Sequence, residues 1–375
     1  MRRREFMHSC FVGAAALSVT SHFSASVLAA TTPTSEADGK KWFNMENLPL
    51  EGRAWEGEER LSPYDRFPKR WMEKVTPAVR GNATHSAGMT VRFRTNANDL
   101  FIRYETTSTN LAMYHMPATG MSGFDLYGRD EKGMLRFIDL KQCGAKAETQ
   151  IGKGLTGNVS REYVIYLPLY NGLKSFELGV PSDGEFELVT LPKKPVLYYG
   201  TSIVHGGCAS RPGMTHPAIL ARRLDMPHWN FGFSGSGKME MEIADAFGEL
   251  DSSAYVLDCL PNMTPEMVKE RLYNFVIRLR EKRPDTPILL VEDRRSPSSW
   301  VIASKNDFHN RQHAAHRAEY ERLLAANVKG LSYVEGDTLQ PPDGDGTVDD
   351  SHSTDYGFWY QANAMEGILR KALNL

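Results

Sequence analysis

The stretch Val196-Leu-Tyr-Tyr-Gly-Thr-Ser202 decides the fold, because it joins a short apolar run to a glycine and two hydroxyl residues. A continuous apolar run of this length is typical of a strand that is buried on both faces of a parallel sheet. Four similar runs follow: Trp229 to Phe231, Ala254 to Leu260, Ile288 to Val291 and Leu331 to Val334. The C-terminal half is therefore predicted to contain five parallel strands.

Helical patterns separate these runs. Thr264 and Pro265 predict an N-cap and a first helical turn, and apolar residues follow at helical spacing. A second helix is predicted from about Asn310 to Val328, and a last one after Thr354. Strands that alternate with helices predict a flavodoxin-like, three-layer α/β domain over residues 191–375.

The preceding half has a different pattern. Residues 41–190 alternate apolar and polar positions with the period of strands, as in Met89 to Thr95 and Tyr163 to Leu167. Helical periodicity is nearly absent there. The pattern predicts an antiparallel β-sandwich domain, with a hairpin loop at Gly128 to Gly133.

The N-terminus has the features of a signal peptide. Three arginines at positions 2–4 precede an apolar stretch from Cys10 to Val19 and small residues around Ala30. We therefore expect residues 1–30 to direct export to the periplasm or beyond the cell, by either the twin-arginine or the Sec route. Residues 31–40, which are small and polar, are expected to form a linker.

Composition excludes several classes of function. The chain has 375 residues with a net charge of -2, so it lacks the basic excess of a nucleic-acid-binding protein. Its N-terminal apolar run is too short to span a bilayer, so no stable membrane insertion is expected. Beyond the signal peptide, Cys143, Cys208 and Cys259 allow at most one disulfide, and without a Cys-x-x-Cys pair they predict no structural zinc site. The oligomeric state stays open.

Candidate catalytic residues lie at the ends of the predicted elements. Ser202 follows the first strand at a tight turn, and Asp349 and His352 stand just before the last helix. A hydroxyl nucleophile needs a general base, and that base needs a carboxylate to hold its tautomer. Taken alone, Ser202 is favoured as a helix cap, and Asp349 and His352 fit a capping loop as well as they fit a catalytic pair.

Two further loops could stabilise an oxyanion. Gly235 lies in a glycine-rich loop after the second strand, and Asn262 follows the third strand. With Ser202, Asp349 and His352, they fall in chain order on successive strand-end loops, where ligands bind in sheets of this class.

This order of residues resembles the SGNH hydrolase superfamily over residues 194–375. The resemblance implies that Ser202 is the nucleophile, that His352 and Asp349 complete the triad, and that Ser202, Gly235 and Asn262 form the oxyanion hole. Such a reaction needs no metal or organic cofactor. The chain departs from the usual family pattern at Thr201, where Asp is common, and in the third block, Leu260-Pro-Asn-Met263, where Gly-x-Asn-Asp is common.

A second resemblance lies in the sandwich. Gly123-Phe-Asp-Leu-Tyr127 is similar to the signature of the Gly-x-Asp-Leu-Tyr (GxDLY) domain that precedes some SGNH domains. On the residues alone, Asp125 and Tyr127 are favoured as interface or turn partners over substrate contacts.

Three further motifs suggest other kinds of site, and each has a simpler explanation. Gly232 to Met239 nearly matches a phosphate-binding loop, but Met239 lacks the hydroxyl that binds Mg²⁺. His309, His313 and His316 share a helical spacing and are expected on a solvated helix face. Arg294 and Arg295 follow the fourth strand, and a surface ion pair is favoured over a substrate contact.

The predicted function is that of a serine esterase acting on a small-molecule or glycan ester. The resemblance and the added sandwich imply an acetyl group on a carbohydrate. Two alternatives stay open, namely an inactive SGNH-fold carbohydrate-binding protein and a lipase or thioesterase for longer acyl chains. The last would use apolar rim residues such as Trp300 and Phe358.

Overall fold

The computed structural model describes residues 26–27, 31–156 and 159–375. Apart from the backbone of Ser26 and Val27, the expected signal peptide lies outside the described residues, and so does Cys10. The described chain contains three β-sheets, two in the N-terminal half and one in the C-terminal half.

The N-terminal half is an antiparallel sandwich, as predicted. Its strands are β1 (Ser26–Val27), β2 (Ser35–Ala37), β3 (Lys40–Asn44), β4 (Thr90–Thr95), β5 (Leu100–Thr106), β6 (Phe124–Arg129), β7 (Leu135–Lys141), β8 (Lys146–Gly152), β9 (Arg161–Tyr166), β10 (Leu173–Pro181) and β11 (Glu187–Thr190). One sheet has the order β1-β11-β4-β9-β6-β7, and the other β2-β3-β10-β5-β8. The alternating apolar residues form one core between them, which includes Phe93, Ile102, Phe124 and Phe176.

Two details of this half differ from the expectation. Strand β2 lies within the segment that was expected to be a linker, where its backbone pairs with β3 at the edge of the second sheet. Three short helices also interrupt the strands: α1 (Lys69–Met72), α2 (Pro77–Ala83) and α3 (Ala118–Met121). They are too short to show a helical repeat in the sequence, so periodicity did not reveal them.

The C-terminal half is the predicted doubly wound layer. Its strands are β12 (Val196–Gly200), β13 (His228–Gly232), β14 (Ala254–Asp258), β15 (Ile288–Val291) and β16 (Leu331–Val334). All pair in parallel, in the order β13-β12-β14-β15-β16. The helices are α4 (Ser202–His205), α5 (His216–Leu224), α6 (Met241–Gly248), α7 (Pro265–Lys282), α8 (Ala303–Ala325) and α9 (Asp355–Leu373). The carboxyl ends of the strands therefore share one edge, where sheets of this kind bind ligands.

Helix α8 starts at Ala303 rather than near Asn310. Its buried face carries mainly polar side chains, which conceal the apolar repeat that sequence reasoning uses. The expectation that His309, His313 and His316 are solvated is wrong, because they are only 5%, 9% and 1% exposed. Two of them bond to the sheet edge: His313 Nε2 lies 2.7 Å from the carbonyl oxygen of Asp293, and His316 Nδ1 lies 2.9 Å from the Tyr333 hydroxyl.

The two halves share a buried interface. Arg66, which is 1% exposed, donates from Nη1 to the carbonyl oxygens of Asn230 and Gly232 at 3.0 and 2.7 Å. Phe67 stacks on Phe231 beside it, with ring centroids 5.4 Å apart. The N-terminal half thus packs directly against β13. Among the described helices, none is both long and apolar enough to cross a membrane.

Candidate active site

Ser202 begins helix α4 directly after β12. Thr201 caps the helix, since its Oγ1 accepts a hydrogen bond from the Ile203 N–H at 3.2 Å. A Cβ at Gly200 would come within 2.4 Å of the Asp258 carbonyl oxygen, so only glycine permits this close approach of β12 to the end of β14. The turn holds Ser202 at the carboxyl edge of the sheet, with 9% of its surface exposed.

His352 and Asp349 approach this serine from the loop before α9. His352 Nε2 lies 3.0 Å from Ser202 Oγ, and its Nδ1 lies 2.8 Å from Asp349 Oδ2. The second carboxylate oxygen of Asp349 accepts the backbone N–H of His352 at 2.7 Å. The three side chains predicted from the sequence therefore form one hydrogen-bonded series, although Ser202 and His352 are 150 residues apart in the sequence.

The electrostatics of this chain favour an ionised carboxylate. Burial disfavours the charge of Asp349, but the backbone and side-chain hydrogen bonds from His352 outweigh burial and lower the pKa of the carboxyl below its usual value. A carboxylate at Nδ1 holds the ring with its Nε2 lone pair directed at Ser202. This arrangement can take a proton from the hydroxyl.

The two predicted oxyanion loops lie next to the turn that leads to Ser202: a Cβ at Gly237 would come within 2.0 Å of the Gly200 carbonyl oxygen, and Asn262 contacts the same loop. Gly235 has a φ of +69° in the loop after β13, and within the described structure neither its N–H nor that of Ser202 has a protein acceptor. In the amide orientation that satisfies its neighbours, Asn262 Oδ1 accepts the N–H groups of Ser236 and Gly237 at 3.0 and 3.3 Å. That orientation turns the Asn262 Nδ2 donor away from these amides. Free donors near a nucleophile can stabilise an oxyanion.

Sequence reasoning missed a buried charged group under the loop before α9 that carries Asp349 and His352, which we call the triad loop. Arg294 is 6% exposed and donates to the carbonyl oxygen of Ser351, so the favoured surface ion pair is wrong for this residue. Burial raises the pKa of Asp258 to about 7 and that of Asp293 to about 6, and the nearby Arg294 guanidinium opposes both shifts. Arg294 stabilises the loop that carries His352. The only signal for this role in the sequence is that Arg294 follows a buried strand.

Asp125 and Tyr127 of the sandwich contact the loop after α4. Arg211 Nη1 donates to Asp125 Oδ2 at 2.8 Å and to the Tyr127 hydroxyl at 2.5 Å. The N–H of Gly213 donates to the same carboxylate oxygen at 2.8 Å. The two signature residues therefore lie at the interface between the halves, which is the role favoured from the residues alone.

An open cleft of about 830 Å³ adjoins the triad loop. Its wall includes Arg295, Trp300, Asp337, Thr347 and Asp350, so it meets this loop at Thr347 and Asp350, whereas Ser202 and His352 lie outside the lining. Trp300 belongs to this wall and is 87% exposed.

Phe358 and the cysteines of the described chain also have defined positions in the structure. Phe358 is fully buried in the core, so its expected place on an apolar rim is wrong. Cys143, Cys208 and Cys259 are all free thiols.

The model of the GDSL-like lipase/acylhydrolase family matches residues 193–370, and that of the N-terminus of SGNH-hydrolase-type esterases matches residues 40–186. A GDSL-like lipase candidate from Bacteroides ovatus is 31% identical, with 89% of this chain and 98% of that chain covered and a TM-score of 0.84. No curated protein matches this chain.

Two more distant solved structures share the fold. A salicylyl-acyltransferase from a tetracycline biosynthetic pathway is 19% identical, with 94% of this chain and 98% of that chain covered and a TM-score of 0.69. A family two carbohydrate esterase from Clostridium thermocellum, solved in complex with cellohexaose, is 13% identical, with 77% and 93% covered and a TM-score of 0.55. The chain belongs to the GDSL-like lipase/acylhydrolase family and is an SGNH-type hydrolase with the GxDLY N-terminal region.

Proposed function

We propose that this hydrolase is an exported serine esterase that removes acetyl groups from carbohydrates, with Ser202, His352 and Asp349 as its triad. The observation that carries the proposal is the pair of hydrogen bonds at His352, 3.0 Å to Ser202 Oγ and 2.8 Å to Asp349 Oδ2. Residues 1–30 would direct the protein to the periplasm or beyond the cell. Residues 41–190 and 191–375 would be its two domains.

The reaction proceeds in two steps. Ser202 Oγ attacks the ester carbonyl carbon while its proton moves to His352 Nε2, and the tetrahedral intermediate then expels the sugar oxygen, which takes that proton from His352 and leaves as a hydroxyl group. Water then attacks the acyl-enzyme and gives a proton to His352, which passes it to Ser202 Oγ as the acyl C–O bond breaks, and the product leaves as acetate and a proton. Asp349 keeps its charge throughout and stabilises the imidazolium.

The oxyanion would be held by three donors. These are the backbone N–H groups of Ser202 and Gly235 and the side-chain Nδ2 of Asn262. The bonds from Ser236 and Gly237 to Asn262 Oδ1 orient that amide before substrate arrives. Donors that are already oriented cost no rearrangement in the transition state, and each is worth about 3–4 kcal/mol in comparable enzymes.

The cleft beside the triad loop suits a sugar as the alcohol part of the ester. Trp300 exposes an indole ring, and Arg295 and Asp337, which form an ion pair of 2.6 Å as the sequence predicts for Arg295, add a charged polar group on the same wall. An aromatic face flanked by a few polar groups matches the alternating C–H faces and hydroxyl edges of a pyranose. The family two carbohydrate esterase that shares this fold was solved in complex with cellohexaose.

The catalytic assignment is tested with Ser202→Ala and p-nitrophenyl acetate. We expect kcat/KM to fall by about 10⁴-fold or more, because a nucleophile and its base act as one unit. Ser182→Ala is the matched control, since Ser182 lies exposed in a turn of the sandwich. Equal rates for wild type and Ser202→Ala would refute the triad.

The substrate is tested by measuring acetate released from a panel of acetylated polysaccharides. We expect release by wild type, and weaker release after Trp300→Ala, while turnover of p-nitrophenyl acetate stays within about twofold. Higher rates on longer p-nitrophenyl esters would favour the lipase alternative. Retention of glycan without release, and no fluorophosphonate labelling of Ser202, would favour the binding-protein alternative.

A further inference from the structure

We infer that the protein carries an inhibitory site for a thiophilic divalent cation such as Zn²⁺, formed by His115, Cys208 and His352. One ligand atom of each residue lies within 4.8 Å of the other two. His115 comes from the sandwich half, and the other two residues come from the α/β half. The site would therefore join both halves at the mouth of the active site.

His115 is brought to the site by a short loop between β5 and α3. Met113 and Met116 exchange backbone hydrogen bonds of 2.9 and 3.1 Å around it, which fixes a tight turn. The His115 ring meets His352 edge-on, with centroids 5.2 Å apart. Its Nδ1 is buried and has no hydrogen-bond partner in the described part of the chain. This nitrogen is therefore available to a ligand.

Cys208 lies directly after the turn that ends α4. The N–H of Gly207 bonds to the Ser202 carbonyl oxygen at 2.7 Å, so the segment that leads to Cys208 is tied to the nucleophile. Cys208 is 5% exposed, has a φ of +71° and is not in a disulfide. A thiolate is the soft ligand that selects Zn²⁺ over Mg²⁺ or Ca²⁺.

His352 has the orientation that metal-binding histidines usually have. Its Nδ1 bonds to the Asp349 carboxylate at 2.8 Å, which leaves the Nε2 lone pair free to bind either the Ser202 hydroxyl or a metal. Carboxylate–histidine–metal arrangements are common at zinc sites.

Two imidazoles and one thiolate match the ligand set of a zinc centre with one open position. Ligand atoms around tetrahedral zinc lie about 3.4–3.6 Å apart, given metal bonds of about 2.0–2.3 Å. In the structure these atoms lie within 4.8 Å of one another, so metal binding requires them to move closer together by about 1 Å. Rotation of the half-buried His115 ring can supply much of this shift.

Metal binding would block the chemistry. The Cys208 thiol loses its proton to solvent, and the metal takes the His352 lone pair that otherwise receives the Ser202 proton. The inhibitory effect rests on the proposed role of His352 as base, whereas metal binding itself does not. The two are therefore tested by different measurements.

Binding is tested with Co²⁺ alone as the probe, by absorption spectroscopy of the metal-free protein. We expect a thiolate-to-cobalt charge-transfer band in wild type, in Ser202→Ala and in the control Cys143→Ser, whose exposed thiol lies outside the cluster. Cys208→Ser should abolish the band. His115→Asn should weaken Co²⁺ binding at least tenfold, the scale of losing even an outer contact of a metal site. Absence of the band in wild type, or its persistence in Cys208→Ser, would overturn the site.

Inhibition is tested by titrating Zn²⁺ against the hydrolysis of p-nitrophenyl acetate, with each variant compared with its own metal-free rate. We expect wild type and Cys143→Ser to lose activity and to regain it with EDTA. Cys208→Ser and His115→Asn should need at least about tenfold more Zn²⁺. If Co²⁺ binds but Zn²⁺ does not inhibit, the inhibitory role is wrong. If Ser202→Ala stays active, the proposed triad fails while the binding result stands.

Discussion

Asp349 and Asp350 are adjacent, yet their carboxylates have different partners. Asp349 accepts the ring and backbone N–H groups of His352, whereas Asp350 accepts the N–H and hydroxyl of Ser298 at 2.7 and 2.6 Å and pairs with Lys305. Asp350 has a φ of +70°, so the chain reverses between the two residues. The backbone turn therefore decides which aspartate faces the histidine.

This difference predicts opposite outcomes for two isosteric substitutions. Asp349→Asn should lower kcat by about 10²–10⁴-fold, because an amide at this position favours the wrong tautomer of His352. Asp350→Asn should instead cost about 1–2 kcal/mol of unfolding free energy, with a smaller loss in kcat. Both variants are measured by steady-state kinetics and urea unfolding. A larger loss in kcat for Asp350→Asn would contradict the assignment.

At the scale of elements, the site depends on how strands end and helices begin. Helix α9 starts right after the triad loop, and Thr354 caps it by accepting the Gly357 N–H at 3.2 Å. The Thr354 N–H also bonds to the Gly346 carbonyl oxygen at 3.0 Å, which closes the base of the loop that carries His352. The cap thus supports both the helix and the histidine.

Removing this cap should affect stability and catalysis together. Thr354→Ala is expected to lower the unfolding free energy by about 1 kcal/mol, because the Gly357 N–H loses its acceptor. It should also lower kcat more than it changes KM, since the His352 loop loosens. Thr354→Ser keeps the hydroxyl and is expected to behave like wild type. Urea unfolding and steady-state kinetics of the two variants check this prediction. If Thr354→Ser loses as much stability and activity as Thr354→Ala, the hydroxyl does not act as a cap.

At the scale of the molecule, buried polar contacts join the two halves. Arg66 donates three hydrogen bonds to backbone carbonyl oxygens, two in β13 at Asn230 and Gly232 and one at Asn82. Burial lowers the pKa of Arg66 to about 9, so its charge is costly unless these acceptors are present.

Arg66→Met should therefore destabilise the whole molecule. Methionine fills part of the volume but leaves the carbonyl oxygens of Asn230 and Gly232 without this donor, whereas the Asn82 oxygen keeps the N–H of His85 at 3.1 Å. We expect a loss of about 3 kcal/mol. The exposed Arg80→Met is the control and should change stability by less than about 0.5 kcal/mol. Urea unfolding monitored by tryptophan fluorescence measures both. A negligible effect of Arg66→Met would mean that the interface does not contribute to folding.

The interface should also respond to pH through Asp125. Burial raises the pKa of Asp125 to about 6 despite the ion pair with Arg211, whereas the unfolded value is 3.8. The folded protein therefore binds the proton more tightly, so this contribution to stability is complete below pH 3.8 and is lost as the pH rises through about 6. Asp125→Asn should flatten the stability profile in this window relative to wild type. An unchanged slope in pH-dependent urea unfolding would contradict the shifted pKa.

Much of the fold could be predicted because the two periodicities are strong. The five apolar runs matched the five parallel strands, and the alternation of residues 41–190 matched the sandwich. The start of α8 and the burial of its histidines could not be predicted. A helix face of His, Gln and Glu is buried only because the sheet edge offers hydrogen-bond partners to His313 and His316, and those partners are distant in sequence.

The sequence by itself determined that Ser202, Gly235 and Asn262 lie in loops after strands. Apolar periodicity and the positions of glycines are properties of short stretches of chain, so they can be read without the tertiary structure. It also indicated that the general base for Ser202 comes from the short segment that contains Asp349 and His352. Only the tertiary structure decided that Nε2 of His352 reaches Ser202 and that Arg294 is buried beneath the loop. It alone decided that His115 of the sandwich lies against the same histidine. These are contacts between segments far apart in the chain, and packing of the whole molecule sets them, whereas local pattern does not.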